Sequence, residues 1–173
     1  MNLWFRVIRV IMLALFRRRL GLLDESRLDF RVWPTDLDIN IHMNNARYLA
    51  LMDLGRLDLI VRTGMGRRVW RDKLQPVIGA ALVRYRRPLA PFKPIRLRSR
   101  LLAWDDKWLF IEHRLESGDV LACHAVVKGM LVGGAGGVPP GDLARQLGFD
   151  QPSPPVPDWV SHWSEAESLL AKA

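Results

Sequence analysis

The spacing of hydrophobic positions changes along this chain, and each change marks an element. Leu3, Trp4, Val7, Ile8, Ile11, Met12 and Leu15 recur every three to four residues, which predicts a helix with one apolar face. Asn2, Arg6, Arg9 and the run Arg17-Arg18-Arg19 supply its polar stripe. Leu28, Phe30 and Val32 then alternate with Arg27, Asp29 and Arg31, a period of two that predicts a strand ending at Trp33-Pro34. Helical spacing returns from Ala46 to about Thr63. Leu49, Leu57, Ile60 and Val61 lie along one face while Tyr48, Leu51, Met52 and Leu59 cover much of another, so this helix is expected to be buried on most sides. Gly64 and Gly66 would stop it.

After a basic connection at Arg67-Arg68-Val69-Trp70, the pattern predicts four β segments over residues 77–87, 95–101, 108–115 and 120–132, joined as an antiparallel meander. In the second, Ile95, Leu97, Ser99 and Leu101 alternate strictly with Arg96, Arg98 and Arg100, giving one core face and one basic face. Gly133-Gly134-Ala135-Gly136-Gly137 lacks the Gly-Lys-Ser/Thr ending of a phosphate-binding loop and reads as a linker. Beyond the prolines of residues 152–157, Trp159, Trp163, Ala166 and Leu170 share one face of a last helix. The expected organisation is an amphipathic basic segment (residues 1–23), a central domain (24–134), and a linker with a packed C-terminal helix (135–173).

At 173 residues and 49% hydrophobic content, one domain with a sizeable core is expected. A net charge of +8 implies attraction to polyanions: nucleic acid, an anionic membrane surface, or a phosphorylated small molecule such as coenzyme A. No recognised nucleic-acid motif accompanies it, so a nucleic-acid partner is not expected. The single cysteine, Cys123, excludes an internal disulfide and a cysteine-based zinc site, and fits a reducing, cytoplasmic compartment. A membrane-spanning helix needs roughly 20 apolar residues. The first segment is shorter and carries Arg6 and Arg9, so it reads either as a helix docked on the protein or a partner, or as one lying in the plane of the inner membrane face.

The candidate chemistry lies in residues 34–48, Pro-Thr-Asp-Leu-Asp-Ile-Asn-Ile-His-Met-Asn-Asn-Ala-Arg-Tyr, directly ahead of the long helix. Asp38 and His42, four residues apart, could share a proton, and the unpaired N–H groups of the helix start offer partial positive charge to an oxyanion. Asn44 or Asn45 suits the N-cap. Against this stands a structural use: Asp38 and Asn40 as turn formers, with His42 at the helix entry. Asp53 stands among apolar residues, where a carboxylate must be paired or protonated. Arg56 or Arg47 could pair with it, and a catalytic role stays open. Cys123 and His124 are strand neighbours on opposite faces and make no nucleophilic pair. His113 and His162 lack companions at metal-ligand spacing, so neither metal nor cofactor is expected.

One long buried helix with an antiparallel sheet able to wrap it is the α+β hotdog arrangement. Asp38-Ile39-Asn40-Ile41-His42-Met43-Asn44-Asn45-Ala46-Arg47-Tyr48, Arg84-Tyr85-Arg86-Arg87 and Trp104-Asp105-Asp106-Lys107 resemble the hotdog acyl-CoA thioesterases of the 4-hydroxybenzoyl-CoA type. More narrowly they look like the thioesterase-superfamily-member-six branch, over residues 20–170. The resemblance implies hydrolysis of acyl-CoA or another acyl thioester by a homodimer or homotetramer with sites at the subunit interface. It implies that Asp38 is nucleophile or general base and that the Asn45 N–H polarises the thioester carbonyl. The order Asp38, Asn40, His42 is similar to that of plant acyl-carrier-protein thioesterases, where all three positions are implicated. Bacterial relatives often carry a histidine nearer the helix start, where this chain has Asn45, which leaves the proton donor open. Asn44, Tyr48, Asp53, Arg84 and Arg86 are the candidate substrate-binding residues. The arginines of the basic face, Arg96, Arg98 and Arg100, together with Arg84 and Arg86, either hold coenzyme A phosphates or form a solvated surface. The rival expectation is a non-catalytic acyl-CoA or lipid-binding protein at a membrane surface.

Overall fold

A central helix lies across one face of an antiparallel sheet, the hotdog arrangement. The computed structural model describes residues 3–170; Met1, Asn2 and residues 171–173 of the expected terminal segments lie outside them. In chain order the elements are α1 (Leu3–Phe16), β1 (Ser26–Arg31), a 3-10 turn (Pro34–Asp36), α2 (Asn45–Arg62) and α3 (Met65–Arg71). Then come β2 (Gln75–Tyr85), β3 (Pro94–Trp104), β4 (Leu109–Ser117), β5 (Val120–Gly133), β6 (Gly136–Val138), α4 (Pro140–Gln146) and α5 (Asp158–Leu170).

The strand order is β1-β3-β4-β5-β2, with β6 on β5, and every pairing is antiparallel. Only β3, β4 and β5 form the expected meander. β2 instead crosses to the far side and pairs with β5. This placement leaves β2 at the edge, where Val77, Ile78 and Leu82 of its apolar run stay partly exposed.

The core gathers Leu51, Met52 and Leu54 of α2 against Leu28, Phe30, Ile95, Leu97 and Leu115 of the sheet. Gly55 permits this approach: a Cβ there would stand 2.2 Å from Ser99 Oγ. α2 is less enclosed than its composition suggests, since Leu49 and Asp53 face outward. The carboxylate buried in the helix is Asp58 rather than Asp53. Ser26 Oγ donates to Asp58 Oδ2 at 2.6 Å and Arg62 Nη1 at 3.2 Å.

Three local expectations change. The basic connection after α2 is itself a helix, α3, entered through Gly64 at φ +82°. The glycine run does not link two units: β6 folds back onto β5, so the sheet continues past the expected boundary at residue 134. In α5 the inward face holds Val160, with Trp163 packed beside it and Glu167 bonded to buried Lys128 at 2.7 Å, while Leu170 is exposed. Among the described residues no helix is long and apolar enough to cross a membrane.

Candidate active site

One buried aspartate, Asp36, pins both ends of the loop ahead of α2. Trp33 N–H donates to its Oδ2 at 2.9 Å, and its own carbonyl accepts from Asn44 N–H at 2.8 Å. Arg6 reaches across from α1 and grips both carboxylate oxygens, at 3.1 and 2.5 Å, with each side chain 2% exposed. Arg6 therefore lies inside the molecule and not in a solvent-facing polar stripe. Met43 N–H donates to Leu89 O at 2.9 Å, which ties the loop exit to the chain after β2.

Within that frame Asp38 closes a turn. Its Oδ1 accepts from Asn40 N–H at 2.8 Å and, more weakly, from His42 N–H at 3.5 Å, while Asp38 N–H donates to His42 O at 2.9 Å. Oδ2 receives no hydrogen bond from the described residues. The turn-forming use of Asp38 is thus real, yet it occupies only one oxygen. The Asn40 and His42 side chains are exposed, and neither bonds the Asp38 carboxylate; proton sharing between Asp38 and His42 is absent from this geometry.

Asn44 is the N-cap, its side-chain oxygen accepting from Ala46 N–H at 2.9 Å. Arg47 N–H turns back to Asn44 O at 2.9 Å. Asn45 is the first residue of α2, and its N–H meets no acceptor in the described residues, leaving an open donor at the positive end of an 18-residue helix. Tyr85 OH donates to Asn45 O at 3.3 Å, and the Tyr85 ring meets Tyr48 edge-on with centroids 5.2 Å apart. Tyr48 is buried, and that desolvation pushes its phenol up to about 12, so it stays protonated.

The remaining candidates divide. Because Tyr85 points to the helix side, Arg84 projects from the other face of β2. Arg86 and Arg87 N–H both donate to Ala122 O, which ends the strand alternation there, so Arg86 is free of that constraint. Asp53 is not at the loop: it lies eight residues into α2, about 12 Å along the axis at 1.5 Å per residue. It is two-thirds exposed and paired with Arg56. The basic face of β3 is neutralised: Arg96 pairs with Asp29 at 3.0 Å, Arg98 with Glu25 at 2.8 Å and Arg100 with Glu112 at 2.7 Å. Cys123 is fully buried, and burial pushes its thiol up to about 12, away from nucleophilic use.

Two features escaped the residue pattern. Beneath α2, Arg56 Nη1 lies 3.3 Å from His113 Nε2, and His113 Nδ1 lies 2.8 Å from Ser99 Oγ. A guanidinium cannot accept, so Nε2 accepts and the His113 proton sits on Nδ1 toward Ser99. Burial, with Arg56 beside it, keeps this imidazole neutral, well below its ordinary pKa. Arg56 also borders an almost wholly apolar cavity of about 360 Å³ between the second half of α2 and the first half of β2, walled by Leu57, Ile60, Met65, Ile78 and Ile111. Pairing of β2 with β5 creates this space, and no periodicity in the sequence announces it.

Residues 32–164 match the model of the thioesterase-like superfamily. The chain belongs to that superfamily. Within this thioesterase-like family it is 30% identical over 159 residues to Protein THEM6 of Xenopus laevis, covering 88% of this chain and 75% of that protein. Protein THEM6 of Drosophila melanogaster is 37% identical over 101 residues, 58% of this chain; the match spans about half of that relative's length, 52%. The YbaW probable thioesterase of Escherichia coli shares the fold with a TM-score of 0.65 at 19% identity, covering 70% of this chain and 95% of that one. Within that superfamily the domain has the hotdog fold and is similar in sequence to proteins of the THEM6 branch.

Proposed function

We propose that the protein hydrolyses acyl-CoA thioesters at the loop of residues 34–45. The observation that carries this reading is the open Asn45 N–H at the start of α2, at the end of the loop that holds Asp38 with one carboxylate oxygen unused. The thioester carbonyl oxygen takes the Asn45 N–H, which stabilises the charge that develops on it. Asp38 then either attacks the carbonyl carbon, giving an acyl-enzyme anhydride that water opens to free acid and carboxylate, or removes a proton from an attacking water. In both routes the carbon–sulfur bond breaks and the thiolate departs with little need of an acid, because thiols are acidic leaving groups. His42 and Asn40 stand in solvent on the same loop, where they orient water or the thiol portion. Asn44 sets the loop exit, Tyr48 walls the site, and Arg86 supplies charge to the phosphates. Asp53 and Arg84 have no direct part in the step.

The apolar cavity is the candidate acyl site. The exposed edge of β2 pairs with a second copy, so that the site is completed in a homodimer. A thiol-release assay over acyl-CoA chain lengths tests the reading: Asp38→Asn should lose at least a hundredfold in kcat with little change in stability. Turnover undiminished in Asp38→Asn, or no turnover by the unaltered protein with any acyl length, sinks it. The second outcome would favour a non-catalytic acyl-CoA or lipid-binding protein, a reading to which the exposed apolar face of α1 lends weight.

A further inference from the structure

Helix α1 has two faces of opposite use. Arg6, Val10 and Ala14 are buried against the body, and the helix runs along β1, with Arg6 donating to Arg31 O, Arg9 to Asp29 O and Arg17 to Arg27 O. On the outer side Phe5, Ile8, Met12, Leu15 and Phe16 are each half-exposed or more, Phe16 at 84%. At roughly 100° per residue these five fill an arc of about 100° lying opposite the Arg6–Val10–Ala14 stripe. A contiguous apolar surface of this kind on a folded protein marks an interaction site.

Position and charge select its occupant. α1 lies beside β1, and β1 and β2 are the two ends of the sheet order, so a second copy paired along β2 stands at the opposite edge. Arg9 flanks the apolar arc, and Arg17, Arg18 and Arg19 close the helix's C-terminal end, all exposed. No acidic residue occurs before Asp24. An apolar face flanked by arginines, on a segment that itself carries no carboxylate, suits a bilayer interface with anionic headgroups. We propose that α1 is an in-plane docking helix for an anionic membrane surface, and that its buried Arg6 carries the Asp36 loop with it. The docking stands apart from the catalytic reading. The link to the loop rests on that reading, and it makes membrane-partitioned acyl thioesters the substrates favoured by location.

The test is co-sedimentation of the full chain with vesicles of phosphatidylcholine alone or mixed equally with phosphatidylglycerol, at low and high salt. The unaltered protein is expected to bind the mixed vesicles at least tenfold more tightly than the neutral ones, with the difference shrinking in high salt. Ile8→Ser with Phe16→Ser, both on the outer face, and separately Arg17, Arg18 and Arg19→Gln, should each weaken mixed-vesicle binding at least tenfold. Turnover of a short, water-soluble acyl-CoA should be unchanged by the Ile8 and Phe16 changes. Failure to bind mixed vesicles, equal binding to both compositions, or binding indifferent to the Ile8 and Phe16 changes overturns the proposal. So does a fall in oligomer mass in that variant, which would assign the face to another copy. Vesicle binding without turnover on any substrate would remove the catalytic reading and leave the docking intact.

Discussion

At the scale of single residues, the feature with most consequence is a backbone N–H. Asn45 is the first residue of α2, where proline is well accepted because its missing N–H is an orphan anyway, and Asn44 already holds the extended φ −61°, ψ 139° that precedes proline. Asn45→Pro should therefore keep the helix while deleting the proposed oxyanion donor, costing roughly 10² to 10³ in kcat. Asn45→Ala keeps the N–H and should stay within a few-fold. Steady-state kinetics on the pair decides it: equal activities would place the donor elsewhere. The Asp38 turn, the Asn44 cap and the helix start at Asn45 were legible in the sequence because they lie within one short loop, where spacing alone brings groups together. The assignment of acids within α2 was not. Asp53 and Asp58 both have an arginine within one turn, and five residues rotate a helix by about 140°, which carries one outward to solvent and the other inward to Ser26. Spacing does not single out Asp36, because its partner, Arg6, comes from 30 residues away.

Among elements, two-residue alternation located β1 and residues 95–101 of β3 but not the end of β3 at Trp104, and it carries no information on which strand pairs with which. β2 chooses β5 over its sequence neighbour β3, and the cavity follows from that choice. The same pairing logic hides the fate of the basic face. Arg96, Arg98 and Arg100 read as free cations until Asp29 of β1, Glu25 just ahead of it and Glu112 of β4 are brought beside them. Glu112 is the informative member of this set. The His124 hydrogen bond, joined by that of Arg100, holds its carboxyl down to about 2 against burial, from an ordinary 4.5. A carboxyl depressed by folding adds stability that is fully present above its unfolded value and disappears as pH falls through its folded one. The stability gap between the unaltered protein and Glu112→Gln should therefore shrink as pH falls between about 4.5 and 2. Urea denaturation midpoints at pH 6, 4 and 2.5 measure it, and a gap independent of pH would contradict the assignment.

For the whole molecule, the distance between the loop and the cavity sets the problem. The cavity begins near Asp53, about 12 Å along α2 from Asn45, so a short acyl chain held at Asn45 would not reach the cavity of its own protomer. A second copy removes the difficulty. If β2 pairs antiparallel with its copy about Ala80, Gln75 lies opposite Tyr85 and Val77 opposite Val83, which sets the cavity end of one β2 against the partner strand's Tyr85 end, the residue that touches Asn45. The two-fold axis then runs normal to the sheet, so both central helices lie on one face. On this arrangement the loop acts with the cavity of the other protomer. Ile60→Trp, filling the cavity, should abolish long-acyl turnover while sparing short acyl groups, and Asp38→Asn should abolish both. Mixing equal amounts of the two variants after dissociation and reassociation gives hybrids in about half the dimers. In each hybrid the intact loop of the Ile60→Trp chain faces the open cavity of the Asp38→Asn chain, so one of two sites works and long-acyl activity returns to about a quarter of the unaltered level. If loop and cavity act within one chain, every hybrid site carries a defect and the mixture stays as inactive toward long acyl groups as either variant alone.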